Sequence, residues 1–395
     1  MVFMQNSLSM KFCYIKFLWP VFCFIIISCN KVSNMRLDDS SIETVVMDVN
    51  DMSIENRDDV FKDIKYVVLE TSKDNLIGQI DDLFFIDDKI IVVDKNIAKS
   101  VFIFDNTGKF LTRVSNNGRG SHEYLQLTHV FVENGDIAIN DIYKREINYF
   151  DTNGKFIKTI QYDLLFNEAE SLGDNQIVCN IYQGKSKNYS YLDDYSFVVL
   201  DGNDRYKPVS AFGADNSNYD MILSRIKNLY SFEGHVYCTI NFENVIYELT
   251  KDSVIAKYRL AMTPDDLEDV TFNTTEESME YTSKHPFFHG FYVELKDYSL
   301  FGVSVPNQGC QQFVYNHKTK KAYLIPLYYS NPLCSFFSTN LFRYGDNTIV
   351  APINSSYVVN LRNTMEAQGI NNIFENESLD KISEEQNPIL FFYEL

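Results

Sequence analysis

Cys29 is the residue whose chemistry the sequence specifies most closely. Lys11 and Lys16 lead into a short apolar run, residues 17–28 (FLWPVFCFIIIS), and Ile26, Ile27, Ser28 and Cys29 stand in the order aliphatic, tolerant, small, cysteine. That order marks a secretory signal cut just before a cysteine whose thiol takes a diacylglyceryl group. A helix needs about twenty apolar residues to span a bilayer, and this run has twelve. An uncleaved anchor and a plain secretory signal are the competing readings; the cysteine at the cleavage point favours lipid attachment. Met10 opens a better-shaped signal than Met1 does. The expected layout is a signal over 1–28, a polar tether over 29–41 and one folded domain over 42–395. The expected address is the cell envelope, as an outer-membrane lipoprotein whose membrane partner is reached through the lipid. Asn30 and Lys31 follow the cysteine and acids come only at Asp38 and Asp39, which leaves the surface and periplasmic faces both open.

Other reactive groups are present without the spacing that chemistry demands. His285 and His289 are four apart, but a zinc hydrolase needs His-Glu-x-x-His on a helix. Here Pro286 follows the first histidine and no glutamate intervenes. Cys179, Cys238, Cys310 and Cys334 remain after the signal, with no Cys-x-x-Cys pair. Buried free thiols are the simplest reading, with a Cys310–Cys334 disulfide as the alternative in an oxidising compartment. The acid pairs Asp87-Asp88, Asp193-Asp194 and Asp265-Asp266 fall in turn-like stretches. No nucleophile elbow, phosphate loop or calcium loop occurs, so no cofactor is expected. The formal charge of −19 repels phosphate backbones, and no basic stripe offsets it, which argues against nucleic acid.

These side chains must be positioned by strands. Residues 101–114 (VFIFDNTGKFLTRV) and 147–160 (INYFDTNGKFIKTI) match at a spacing of 46. Each is an alternating run, an Asp-x-x-Gly-Lys turn and a second alternating run. Asp105 and Asp151 should bond the backbone ahead of them, and Gly108 and Gly154 should take the positive φ that closes a hairpin. Weaker copies run from Phe197, Val245 and Gln312, and a further strand pair precedes each hairpin, at 83–94, 129–141, 171–182, 229–241 and 291–304. A sixth pair lies at 341–353. A four-strand unit repeating every 40–50 residues predicts an all-β fold, a six-bladed β-propeller. A β-sandwich or two small β domains are the alternatives. The sixth unit lacks its third and fourth strands. The C-terminal strand 389–395 and an N-terminal strand 64–70 would supply them and leave no open edge. Stretches 264–281 and 363–385 read as insertions.

Phe104 to Leu111 (FDNTGKFL), followed by Asn117 to Tyr124 (NGRGSHEY), resembles the six-bladed propeller lipoproteins of Bacteroidetes, which are related to NHL-type propellers. The C-terminal NPILFFYEL and residues 68–78 resemble that family's ends. The resemblance spans nearly the whole mature chain and implies an exported propeller. The family pattern is Gly-x-Gly-Pro-Gly-Glu-Tyr; Ser121 and His122 stand here for Pro-Gly. Two function classes follow. One is a binding or scaffold module for a glycan, a peptide or a partner protein. The other is an enzyme of hydrolase, lactonase or lyase type working in the central funnel. A ligand site belongs at one mouth of the channel, where inner strands converge. Arg119, His122 and Tyr143 are the candidate ligand-binding residues, because they lie in loops beside inner strands and add charge or ring surface the turns do not need. Asp94 and Asp141 recur at equivalent places. They read as structural turn acceptors, with a cation or sugar role as the alternative.

Overall fold

The computed structural model describes residues 32–49, 60–181, 187–213, 227–240, 243–263, 272, 274–325, 333–334, 340–369 and 377–395. Cys29, the signal and the start of the tether lie outside the described residues, as does the first part of the 264–281 insertion. Four strands come first: β1 (Ser33–Asn34), β2 (Arg36–Asp38), β3 (Glu43–Val46) and β4 (Asp63–Val68). Blade one is then β5 (Asp82–Ile86), β6 (Lys89–Asp94), β7 (Ser100–Asp105) and β8 (Phe110–Val114). Blade two is β9 (His129–Glu133), β10 (Asp136–Asp141), β11 (Glu146–Phe150) and β12 (Phe156–Gln161). Blade three is β13 (Phe166–Gly173), β14 (Gln176–Ile181), β15 (Phe197–Asp201) and β16 (Lys207–Phe212). Blade four is β17 (Leu229–Phe232), β18 (His235–Thr239), β19 (Val245–Leu249) and β20 (Ser253–Ala261). Blade five is β21 (Phe287–Glu294), β22 (Tyr298–Val305), β23 (Gly309–Asn316) and β24 (Lys321–Leu324). Blade six opens with β25 (Phe342–Tyr344) and β26 (Thr348–Ile353) and is finished by β27 (Ile389–Glu394) and β4. The protein is a six-bladed β-propeller.

The repeated turn forms as its residue types require. Asp105 Oδ1 accepts from the N–H groups of Thr107 at 2.9 Å and Lys109 at 3.0 Å. Asp151 Oδ1 does the same for Asn153 at 2.8 Å and Lys155 at 2.9 Å. Gly108 and Gly154 take φ of +86° and +75°, left-handed values that glycine adopts without a steric cost. Burial alternates along the outer strands and is nearly continuous along the second and third, because those are covered by blades on both sides. The cores accordingly lie between blades: the one joining blades one and two holds Ile91, Ile103, Ile137 and Phe150.

Ring closure takes the expected form. β27 pairs antiparallel with β26 on one side and β4 on the other, Phe391 standing opposite both Ala351 and Tyr66. Asn387, almost fully buried, ties the join: its Nδ2 donates to the carbonyls of Glu70 and Asn75, and its Oδ1 accepts from Ile77 N–H. Helices fill the insertions. α1 (Thr275–Lys284) lies between blades four and five, capped by Thr274, whose Oγ1 accepts from Glu277 N–H at 3.1 Å. α2 (Ser355–Ala367) and α3 (Glu377–Asp380) bury Val358, Val359 and Leu379 against the core of blades five and six. No helix among the described residues is long and apolar enough to cross a membrane.

The N-terminal segment departs from the expected tether. From Ser33 on it is paired: β1 runs parallel to β16 on the outer edge of blade three, and β2 and β3 run parallel to β20 on blade four. Met35, Val45 and Met47 are buried there. Parallel edge strands of two to four residues carry no alternation long enough to be recognised in sequence.

Candidate functional site

The first strand of each blade, β5, β9, β13, β17, β21 and β25, faces the axis, and the channel between them holds a cavity of about 1100 Å³. Inner strands start on the face that carries the loops between blades, and the turns between second and third strands open on that same face. Charge collects at this end. Lys95 Nζ lies 2.5 Å from Asp82 Oδ2, and Lys227 Nζ lies 2.9 Å from Glu170 Oε1. Glu168 Oε2 accepts from the N–H groups of Asn228 at 2.8 Å and Leu229 at 3.0 Å. His129 Nε2 is 3.0 Å from the carbonyl of Ala169.

Burial and pairing set the charge states of this group. Burial pushes the Glu168 carboxyl up to about 7, against the pull of the backbone N–H groups and Lys227. It drives His129 down to about 3, helped by Lys95, so the imidazole is neutral and Nε2–H donates to Ala169. For Asp82, burial pushes up but the ammonium groups of Lys95 and Lys227 outweigh it, and the carboxylate is held below its ordinary value. The Lys227 ammonium is stabilised by Glu170 and Asp82 despite its own desolvation.

The cavity walls are aromatic. Phe85 meets Tyr344 edge-on at 4.7 Å, and Tyr230 meets Tyr292 edge-on at 5.8 Å. Arg343, at the far end, places its guanidinium 4.9 Å from the centre of the Phe232 ring. On the wall of blade five, His289 Nε2 lies 2.7 Å from Cys310 Sγ. The ring fits there because residue 302 is glycine: a Cβ on Gly302 would come within 2.3 Å of His289 Nε2. Burial lowers the His289 imidazole and raises the Cys310 thiol to about 11, so the pair is neutral near pH 7.

Arg119 and His122 lie in the loop between blades one and two, and Tyr143 lies in the turn between β10 and β11. Lys144 Nζ bridges their two loops through the carbonyls of Gly120 and Glu123. None of the three lines the channel cavity. Tyr143 is 72% exposed. His122 lies 3.6 Å, ring to ring, from Phe156 on the outer strand of blade two. It borders an open depression of about 580 Å³ with Ser121, Glu146, Thr159, Gln161 and Arg205. His122 has φ of +67°, in the left-handed region, at the position where the resembled pattern carries glycine. The structural Asp reading is seen directly. Asp94 Oδ2 accepts from Gly78 and Gln79 and its Oδ1 from Ile97 and Ala98. Asp141 holds Leu125, Tyr143 and Lys144 in the same manner.

His285 ends α1 and His289 sits in β21, so their spacing does not create a shared helix face. Among the described residues no three metal-binding side chains cluster. Among the described residues Cys179, Cys238, Cys310 and Cys334 are free; Cys334 is buried in the core of blades five and six, and Cys310 is partly exposed on the channel wall. Lys227, Glu168, Glu170 and Arg343 were not recognisable from sequence. Glu168 and Glu170 lie within β13, Lys227 just before β17 and Arg343 in β25, and only the ring brings them to one axis.

The family model described as a domain of unknown function, DUF4934, matches residues 44–394. No curated protein matches in sequence. Among solved structures, a protein from Bacteroides fragilis NCTC 9343 described as exported is similar at 17% identity, over 89% of this chain and 99% of that one, with a TM-score of 0.70. A member of the DUF4221 family from Bacteroides vulgatus is similar at 13% identity, over 85% of this chain and 96% of that one, with a TM-score of 0.46. At such identities the first likeness speaks to the fold alone.

Proposed function

The chain belongs to the DUF4934 family, and from the lipobox order at Cys29 and the channel cavity we propose that it is an exported, NHL-like propeller lipoprotein of the outer membrane that binds a glycan or peptide in its channel. The cavity carries this reading. Its volume suits a small ligand, its walls offer aromatic faces, and the charged groups Asp82, Lys95, Glu170 and Lys227 are already paired with one another. Arg119, His122 and Tyr143 contribute, in this reading, as the outer lip of the same face, where a larger partner would first make contact.

A second reading, an enzyme of hydrolase type, draws on the Cys310–His289 pair. A thiol attacks as its thiolate, and both members of this pair are pushed toward the neutral form. The binding reading is therefore preferred.

A thermal-shift screen against glycans, peptides and divalent cations tests it, since a ligand that binds only the native state raises the midpoint. With a hit in hand, Tyr344→Ala should weaken binding while Leu111→Ala, on the far outer strand of blade one, should not. Equal affinities in both variants would remove the ligand from the channel, and unchanged affinity in alanine variants of Arg119, His122 and Tyr143 would remove those three from the lip. The lipid reading has its own test. Cys29→Ala should abolish incorporation of labelled fatty acid and release the protein from the membrane fraction. The mature form should also lack tryptophan emission, because Trp19 is the one tryptophan in the sequence.

A further inference from the structure

We propose that the outer edge of blades three and four lies against the lipid surface, so that the propeller stands edge-on to the membrane and both channel mouths open sideways. The inference rests on lipid attachment at Cys29. Its structural part is where the chain becomes fixed. Val32 packs against the core of blade three. Ser33 Oγ donates to the Val209 carbonyl at 3.1 Å, Tyr195 OH donates to Asn34 Oδ1, and Met35 N–H donates to the Ala211 carbonyl at 2.9 Å. Three residues of chain separate Val32 from Cys29, and a fully extended chain covers at most about 11 Å over that length. A lipidated Cys29 sits at the headgroup boundary, so the edge carrying β1 is held within that distance of it. A long tether would let any surface face the bilayer; this one keeps the edge that carries β1 beside it.

The side chains on that edge suit the headgroup zone. Leu37 on β2, Val209 on β16 and Tyr191, in the segment whose Tyr195 bonds Asn34 of β1, are exposed to 47%, 37% and 48%. Exposed Arg36 stands next to Leu37, and Lys207 and Lys251 stand close by. Lys207 and Lys251 are paired with Asp204 and Asp174, so Arg36 is the cation at this edge that stands beside an exposed apolar side chain, with Asp38, Asp39 and Asp252 close by. Tyrosine and long cationic side chains prefer the boundary between lipid and water, where ring and stem meet the acyl region and the polar tip stays hydrated. These residues add a contact surface to the covalent anchor, in a chain whose overall charge would otherwise keep it off an anionic membrane.

The test uses the full lipidated chain in a Cys310→Ala background, reconstituted on phosphatidylcholine–phosphatidylglycerol vesicles with brominated acyl chains. An environment-sensitive label is placed at Tyr191→Cys or Leu37→Cys, and as control at Leu111→Cys, on the outer strand of blade one across the ring. Vesicle flotation and the mass of the N-terminal peptide report lipidation separately. Quenching severalfold deeper at 191 and 37 than at 111 supports the proposal. It is strengthened if a flexible insert of about twenty residues after Lys31, long enough to reach roughly 25 Å, removes the difference. Equal quenching at both edges of a protein that floats overturns the orientation and leaves the anchor standing. A protein that carries no lipid and does not float overturns both. If one labelled variant melts early, the other reports the same edge.

Discussion

The two ends of the folded chain solve the same problem, an unpaired sheet edge, in opposite ways. At the C-terminus β27 enters the middle of blade six, antiparallel between β26 and β4, with Ile389, Leu390, Phe391 and Tyr393 buried. At the N-terminus β1, β2 and β3 lie parallel on the outermost strands of blades three and four, and of their own side chains only Val45 is buried. An inserted strand satisfies two ladders and two inter-blade cores at once. An added strand satisfies one ladder and covers one edge. The first is a condition for the ring to exist; the second trims a ring that is already closed.

The largest effect should come from cutting the inserted strand. Truncation after Pro388 removes six backbone pairings to β26 and six to β4 and strands β4 at an open edge. Loss of soluble yield or of a cooperative melting transition is expected. A truncated protein with an unchanged midpoint would show that blade six closes without its third strand. The edge strap should respond more gently. Met47, fully buried beside Val45, Tyr258 and Leu260, should cost about 2–5 kcal/mol as Met47→Ala, from lost burial and the cavity left behind. Chemical denaturation measures it, with cooperativity retained. A loss of cooperativity comparable to the truncation would erase the distinction between the two ends.

Two further changes ask whether the channel behaves like either end. Glu168 has its carboxyl raised by burial to about 7, against an ordinary value of 4.5. The folded state therefore keeps a proton the unfolded state has lost between those values. The stability it lends is full below about pH 4.5 and lost as pH rises through about 7. Glu168→Gln should raise the melting midpoint relative to the parent at pH 8 more than at pH 5. A difference that does not change with pH would mean the carboxyl is not raised. The smallest effect is local. His122 occupies left-handed backbone, and His122→Gly should gain up to about 1 kcal/mol by relieving it. A gain in stability with loss of ligand affinity would mark strain retained for binding. A loss of stability would show that the stacking on Phe156 outweighs the backbone.

Much of the fold is legible in the sequence because it is local. The Asp-x-x-Gly-Lys turns declare themselves through a carboxylate and a glycine at fixed spacing, and the strands on either side declare themselves through alternation. Closure by 64–70 and 389–395 could be deduced because two strands lacked partners and one blade lacked two strands, a counting argument that needs no coordinates. The strap was not legible: strands of two to four residues look like any tether until a neighbouring edge is there to pair with them. The candidate ligand residues show the same boundary. Arg119, His122 and Tyr143 were visible as unusual loop residues, and Lys144 ties their two loops together, but none of them lines the cavity.

The sequence by itself therefore determined the blade unit, the number of blades, the closing strands and the turn acids Asp94 and Asp141, because each follows from residues close together in the chain or from a simple count of strands. The tertiary structure alone decided which side chains meet at the axis. Asp82, His129, Glu168 and Lys227 come from four different blades, and no local pattern separates them from solvated charges elsewhere in an acidic chain. Only when six inner strands converge do these groups lose water together, and burial, with the pairing it forces, sets their charge states.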